Sequence, residues 1–212
     1  MAVNIFVLTA GGRLEKYKRR IMKVARESIK IIKKKIPIPD VDIAFYDNPE
    51  YTIPHLGIGG YAQTPGLLLI SLNPKFKQFE RTIRDEILRT LVHELYHCIR
   101  MKTVGYGDTL LEAMITEGLA DHFELEVTNK KPQKWDTSLT AKQFGIMKKK
   151  SVKEFNSKKY NHEEWFFGSN ERRIPKWAGY TIGFNLVGNY LKKHPDKKPS
   201  QLFAVKAEEF VK

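Results

Sequence analysis

The chain has 212 residues, enough for one domain or one domain with a lobe, and its 42% hydrophobic content is too high for a disordered protein. Its one cysteine, Cys98, excludes an intramolecular disulfide and suits a reducing compartment. The net charge of +13 (37 Lys+Arg against 24 Asp+Glu) raises a nucleic-acid reading, but the cations concentrate between Lys16 and Lys35 and between Lys142 and Lys159. Neither stretch interleaves aromatics with cations as a single-strand-binding groove does, so solvated helix faces are favoured and nucleic acid is not the expected partner.

The first residues lack a basic leader and break at Gly11-Gly12, and no apolar run approaches the roughly 18 residues of a spanning helix. The expectation is a cytoplasmic protein with no membrane span. Asn4 to Thr9 reads as a strand. Leu14, Tyr17, Ile21, Val24, Ala25, Ile29 and Ile32 recur at three and four residues, which predicts an amphipathic helix from Leu14 to Ile36, ended by Pro37 and Pro39. Val41 to Tyr46 alternates as a strand, and Gly57 to Gly66 reads as a glycine-rich hairpin or loop entering a strand at Leu67 to Leu72. A long helix is predicted from Phe79 to Met101, with Ile83, Ile87, Leu88, Leu91, Leu95 and Ile99 as its core stripe. After the break at Gly105 to Asp108, Thr109-Leu110-Leu111-Glu112 has the capping-box pattern of a second helix running to about Val127. Further helices are predicted at Ala141 to Phe155, from Trp177 to Lys193 and at Ser200 to Val211. Tyr160 to Pro175 reads as irregular and aromatic.

The first long helix contains His93-Glu94-Leu95-Tyr96-His97. Histidines four residues apart lie about 40° apart around a helix, and Glu94 lies about 60° beyond His97, so all three share one arc. Zinc takes neutral imidazoles from a rigid mount, and a neighbouring carboxylate can accept a proton from water activated there. Two histidines do not complete such a site. Glu117, with 19 residues between it and His97, is the candidate third ligand. Asp121, one turn further on, is placed to accept the free N–H of a ligating histidine. Gly118 is expected to ease the approach of the two helices.

His93-Glu94-x-x-His97 followed by Glu117-Gly118-Leu119-Ala120-Asp121 resembles the gluzincin, thermolysin-like metallopeptidases. More closely, the chain resembles a family of predicted zinc-dependent proteases without an assigned function. That likeness is carried also by Gly57-Ile58-Gly59-Gly60-Tyr61, Leu110-Leu111-Glu112-Ala113 and Trp177-Ala178-Gly179-Tyr180 with Gly183. The resemblance implies zinc on His93, His97 and Glu117, Glu94 as proton shuttle and Asp121 as the residue that orients a histidine. It also implies a cleft-side edge strand near Gly57 to Tyr61 that aligns an extended peptide. No histidine–aspartate pair downstream marks the oxyanion donor; Tyr180 is the candidate, with His162 second.

The blander readings are a core aromatic for Tyr180, a satisfied structural histidine for His122 and a small buried thiol for Cys98. His55 and His194 are assigned nothing. The expectation is an α+β, zincin-like fold as a single domain over 1–212: a small N-terminal sheet packed on the motif helix, with a mostly helical C-terminal half. Its expected function is zinc-dependent hydrolysis of peptide bonds in a peptide or protein substrate. The alternatives are a zinc hydrolase of a non-peptide amide, or a basic nucleic-acid-associated protein with a structural or vestigial zinc site. Cleavage specificity and oligomeric state stay open.

Overall fold

The structure, a computed structural model, describes residues 2–212, so Met1, where the expected domain begins, lies outside them. It is α+β: a small mixed four-stranded sheet followed by a mainly helical second half. The chain forms two compact units, one running to Lys102 and the other from Thr103 to Lys212.

In the first unit the strands β1 (Val3–Val7), β2 (Val41–Asp47), β3 (Ile58–Thr64) and β4 (Leu67–Leu72) stand in the order β1-β2-β4-β3. β1, β2 and β4 are parallel, and β3 returns antiparallel on β4 as the edge strand. The expected hairpin therefore forms, closing at Pro65-Gly66 with a register shift between Ala62 and Thr64. The helix α1 (Lys18–Ile32) is shorter than the predicted Leu14 to Ile36, because Glu15–Tyr17 is a 3-10 turn. It buries Ile21, Ala25, Ser28, Ile29 and Ile32 and turns its lysines and arginines outward, as its periodicity predicts.

The predicted motif helix is continuous in path but not in type. It begins as a single turn, α2 (Phe79–Arg81), passes through a π-helical stretch at Thr82–Glu86 and becomes α3 (Ile87–Thr103). In the π stretch the hydroxyl of Thr82 donates to the carbonyl of Leu56 at 2.6 Å. Such stretches are common near functional sites. Of the predicted stripe, Leu88 is only half-buried, while Val92, Tyr96, Cys98 and Arg100 are buried as well. From Leu91 to Arg100 only His93 keeps partial exposure, so this helix is enclosed nearly all round and not on one stripe.

In the second unit α4 (Leu110–Thr128) starts at Thr109, whose side chain accepts from the Glu112 amide while Glu112 Oε2 accepts from the Thr109 amide, the predicted capping box. It ends at Asn129 in the left-handed conformation. α5 (Ala141–Val152), α6 (His162–Phe167) and α7 (Ala178–Lys193) follow. α6 lies in the stretch read as irregular; six residues capped by Asn161 are too few for a periodic signal. The predicted helix at Ser200 to Val211 is instead two 3-10 turns, Pro199–Gln201 and Ala207–Val211, separated by extended backbone at Lys206.

α4 and α7 touch backbone to backbone. A Cβ on Gly183 would lie 1.9 Å from the Met114 carbonyl oxygen, and one on Gly118 would lie 2.4 Å from Gly183. Gly118 thus makes room for α7; the expectation that it eases the approach of α4 to the motif helix is corrected. Gly183→Ala forces rigid backbone apart and is expected to lower stability by about 3 kcal/mol, read as a lower denaturant midpoint at constant m-value.

Candidate functional site

His93, Glu94 and His97 sit in the enclosed part of α3. The Nε2 atoms of His93 and His97 are 2.9 Å apart, with ring centroids at 4.6 Å and planes at 84°. Two ring nitrogens this close need a proton or a cation between their lone pairs. Two ligands of a tetrahedral zinc at 2.0–2.1 Å stand roughly 3.3 Å apart, so a shift of a few tenths of an ångström would admit the ion.

Glu94 is 8% exposed, and its Oε2 accepts the amide N–H of Ala62 at 3.0 Å. The edge strand thereby reaches onto the motif helix. A Cβ on Gly60 would fall 2.5 Å from Glu94 Cγ and 2.6 Å from Oε1, so a side chain there would displace this carboxylate. Cys98 is fully buried, with its Sγ 3.8 Å from the Thr64 carbonyl. Burial, then the charge of Glu94, pushes its thiol up to about 12, which leaves it inert as a nucleophile.

In the second unit α4 carries Glu117 (5% exposed) and Asp121 (1%), neither of them a solvated helix charge. The phenol of Tyr106 donates a short hydrogen bond to Glu117 Oε1. Burial and the Glu117 charge keep that phenol's pKa well above its ordinary value, so it stays a donor. Asp121 Oδ1 accepts from the indole N–H of Trp135 at 3.3 Å, and the Trp135 carbonyl accepts the Thr181 hydroxyl at 2.7 Å, tying the loop after α4 to α7. Asp136 lies against Asp121, with its Oδ2 accepting the Gln133 amide at 2.6 Å. Burial, and then the charge of Asp121, raises the Asp136 carboxyl to about 10, so it is protonated and donates to Asp121.

Tyr180 lies on α7, edge-on to Phe166 at 4.9 Å and 6.3 Å from the Trp135 ring, and near enough to Tyr106 to act on its titration. His162 opens α6 and stacks on Phe166 at 4.3 Å, and burial lowers its pKa. His122 is a satisfied histidine: Nε2 donates to the Phe184 carbonyl at 2.9 Å, the ring stacks on Phe184 at 4.1 Å, and burial holds it neutral. Tyr106, Trp135, Asp136 and Ala62 are the residues that sequence reasoning passed over, whereas Gly60 and Tyr61 lie in the segment expected beside the cleft. Only Tyr106 carried a signal, as an aromatic between two glycines directly ahead of a capping box.

Residues 21–212 match the model of a family described as Predicted Zn-dependent protease. The chain is also similar to the uncharacterized protein YjaZ of Bacillus subtilis (strain 168), with 29% identity over 108 residues, covering 48% of this chain and 41% of that protein. The match therefore spans less than half the length of that relative. No solved structure matches the chain.

The protonated Asp136 has a thermodynamic signature. Its folded pKa is raised above 3.8, so its contribution to stability is complete below about pH 4 and is lost progressively as pH rises toward 10. Asp136→Asn keeps a neutral donor toward Asp121 and abolishes that titration. Between pH 5 and 9 the metal-free variant is expected to lose less melting temperature than the metal-free wild type; equal slopes would contradict a protonated Asp136.

Proposed function

Because the chain belongs to the family of predicted Zn-dependent proteases, we propose that it is a zinc-dependent metallopeptidase of the gluzincin type. On this reading both compact units make up one zincin-like domain. His93, His97 and Glu117, each with one ligand atom to offer, would hold the ion. Two neutral imidazoles and a carboxylate are a donor set of catalytic zinc, which leaves a fourth position for water or substrate. When bound, zinc supplies Lewis acidity to the attacking water and to the scissile carbonyl.

The remaining chemistry belongs to the chain's own side chains. Glu94 takes the proton of the attacking water and returns it to the leaving amine. The Ala62 amide on its Oε2 holds the carboxylate in place for that transfer. Asp121 would accept the N–H of a ligating histidine, fixing its tautomer. The edge strand β3 would take an extended peptide by main-chain hydrogen bonds, which favours a peptide over a small amide as substrate. Tyr180, with His162 as second choice, would donate to the developing oxyanion.

The observation that carries this reading is the pair of Nε2 atoms 2.9 Å apart beside a carboxylate pinned by the edge strand. Digestion of a peptide library, with zinc content measured alongside, tests it. Glu94→Gln is expected to keep its zinc while cleavage falls about 10²–10⁴-fold; cleavage near the wild-type rate would refute the mechanism. Wild type is expected to bind zinc one to one, and Glu117→Ala to lose tight binding. Full retention by that variant would sink the third-ligand assignment.

A further inference from the structure

We infer that Tyr106 is a positioning residue for Glu117: its phenol occupies one carboxylate oxygen, so that Glu117 can offer only the other to a metal. The inference rests on the reading of Glu117 as a zinc ligand. Tyr106 is held at both ends by successive residues of α4. Its hydroxyl donates to Glu117 Oε1, and its own carbonyl accepts the Thr116 hydroxyl at 2.7 Å. Thr116 is fully buried, so this second anchor is enclosed.

The loop that presents Tyr106 has little freedom. Gly105 and Gly107 adopt φ of +88° and +125°, open to glycine at little cost. A Cβ on Gly107 would lie 2.3 Å from Glu112 Cβ, so the loop is pressed against the first turn of α4. Glu112 Oε2 accepts the amides of Asp108 and Thr109, both at 2.9 Å. One acidic side chain therefore fixes the loop end and the helix start together, and the phenol is carried to Glu117 by backbone with little slack.

A phenol meeting a carboxylate can only donate, and bonds of this kind are among the stronger neutral-to-charged ones. The bond selects one rotamer of a flexible acid before any ion arrives. Glu117 would then bind through one oxygen, which preserves an open position for water. Residues that orient metal ligands in this way typically change affinity 10–100-fold when removed.

The test is a competition titration of zinc against a chromogenic chelator for wild type, Tyr106→Phe, Thr116→Val and Glu117→Ala, with X-ray absorption spectra of the zinc-loaded proteins. Tyr106→Phe is expected to bind zinc about 10–100-fold more weakly, to remain one to one at excess zinc, and to gain an oxygen neighbour as Glu117 becomes bidentate. Thr116→Val, which keeps the phenol but loosens its mount, is expected to fall between the two. Wild-type affinity in Tyr106→Phe, with Glu117→Ala weakened, would overturn the role of Tyr106 and leave the ligand reading standing. Wild-type affinity in Glu117→Ala would remove the ligand reading and this inference with it. Should Tyr106→Phe not fold, wild-type affinity in Thr116→Val is the overturning result.

Discussion

A carboxylate buried in a helix must be stabilised by donors from outside that helix, because the helix's own amides are spent on its ladder. Glu94 sets this condition for the first unit, and the Ala62 amide answers it. An amide can point off the sheet only from an edge strand, which explains why β3 must stand at the end of the order β1-β2-β4-β3. It can come within 3.0 Å only if the strand lacks a side chain where the two elements meet, which is the position of Gly60. The edge position of β3 and the glycine at position 60 thus follow from burying one acid, whereas Gly59 makes room for the Tyr51 carbonyl and Gly57 for the Phe76 ring. On the proposed reading the same strand would meet a peptide substrate, so the group that would accept a proton and the edge that would align the chain are mechanically one part.

The second unit meets the same condition several times over. Among its described residues Glu117, Asp121, Glu124 and Asp136 are buried, and no lysine or arginine is. Hydrogen bonds from the Tyr106 phenol and the Trp135 indole, and the proton on Asp136, supply part of the compensation. These donors come from the loops on either side of α4, which explains why the loops are so closely tied to it. The helix itself is buried on most sides, and its backbone meets α7 through Gly118 and Gly183. Packing this close leaves α4 little room to rotate and keeps its acids aimed in fixed directions.

Much of this was legible in the sequence where period and punctuation are strong. The alternation of Val41 to Tyr46, the spacing along α1, the glycine hairpin and the capping box at Thr109 each named their element within a few residues. The His-Glu-x-x-His spacing placed two imidazoles on one arc, and the structure holds their Nε2 atoms 2.9 Å apart. What the sequence did not disclose are relations between distant positions. Nothing in Gly60 says that it faces Glu94, and nothing in Asp136 says that it shares a proton with Asp121. The stripe on α3 misled for a related reason: periodicity reports one buried face, whereas Val92, Tyr96 and Arg100 are buried by neighbours the helix's own residues do not encode. Gly118 was read as a small residue at a helix crossing, which it is, but its partner is α7.

The charge balance takes a different meaning once burial is known. Among the described residues six of the 24 acidic side chains are buried, against one of the 37 basic ones, Arg100. The excess of +13 is therefore an understatement of how basic the outside is and says nothing of the interior, which is locally acidic. A basic exterior raises the local concentration of acidic substrates and favours no particular fold. An acidic interior stores a cost that a bound dication repays, and it repays most where carboxylates cannot all take protons. Asp136 has taken one. Glu117 is held by the Tyr106 phenol, whose raised pKa keeps it a donor at neutral pH. On this argument the buried acids of α4 are less a burden on the fold than the reason a cation would bind there.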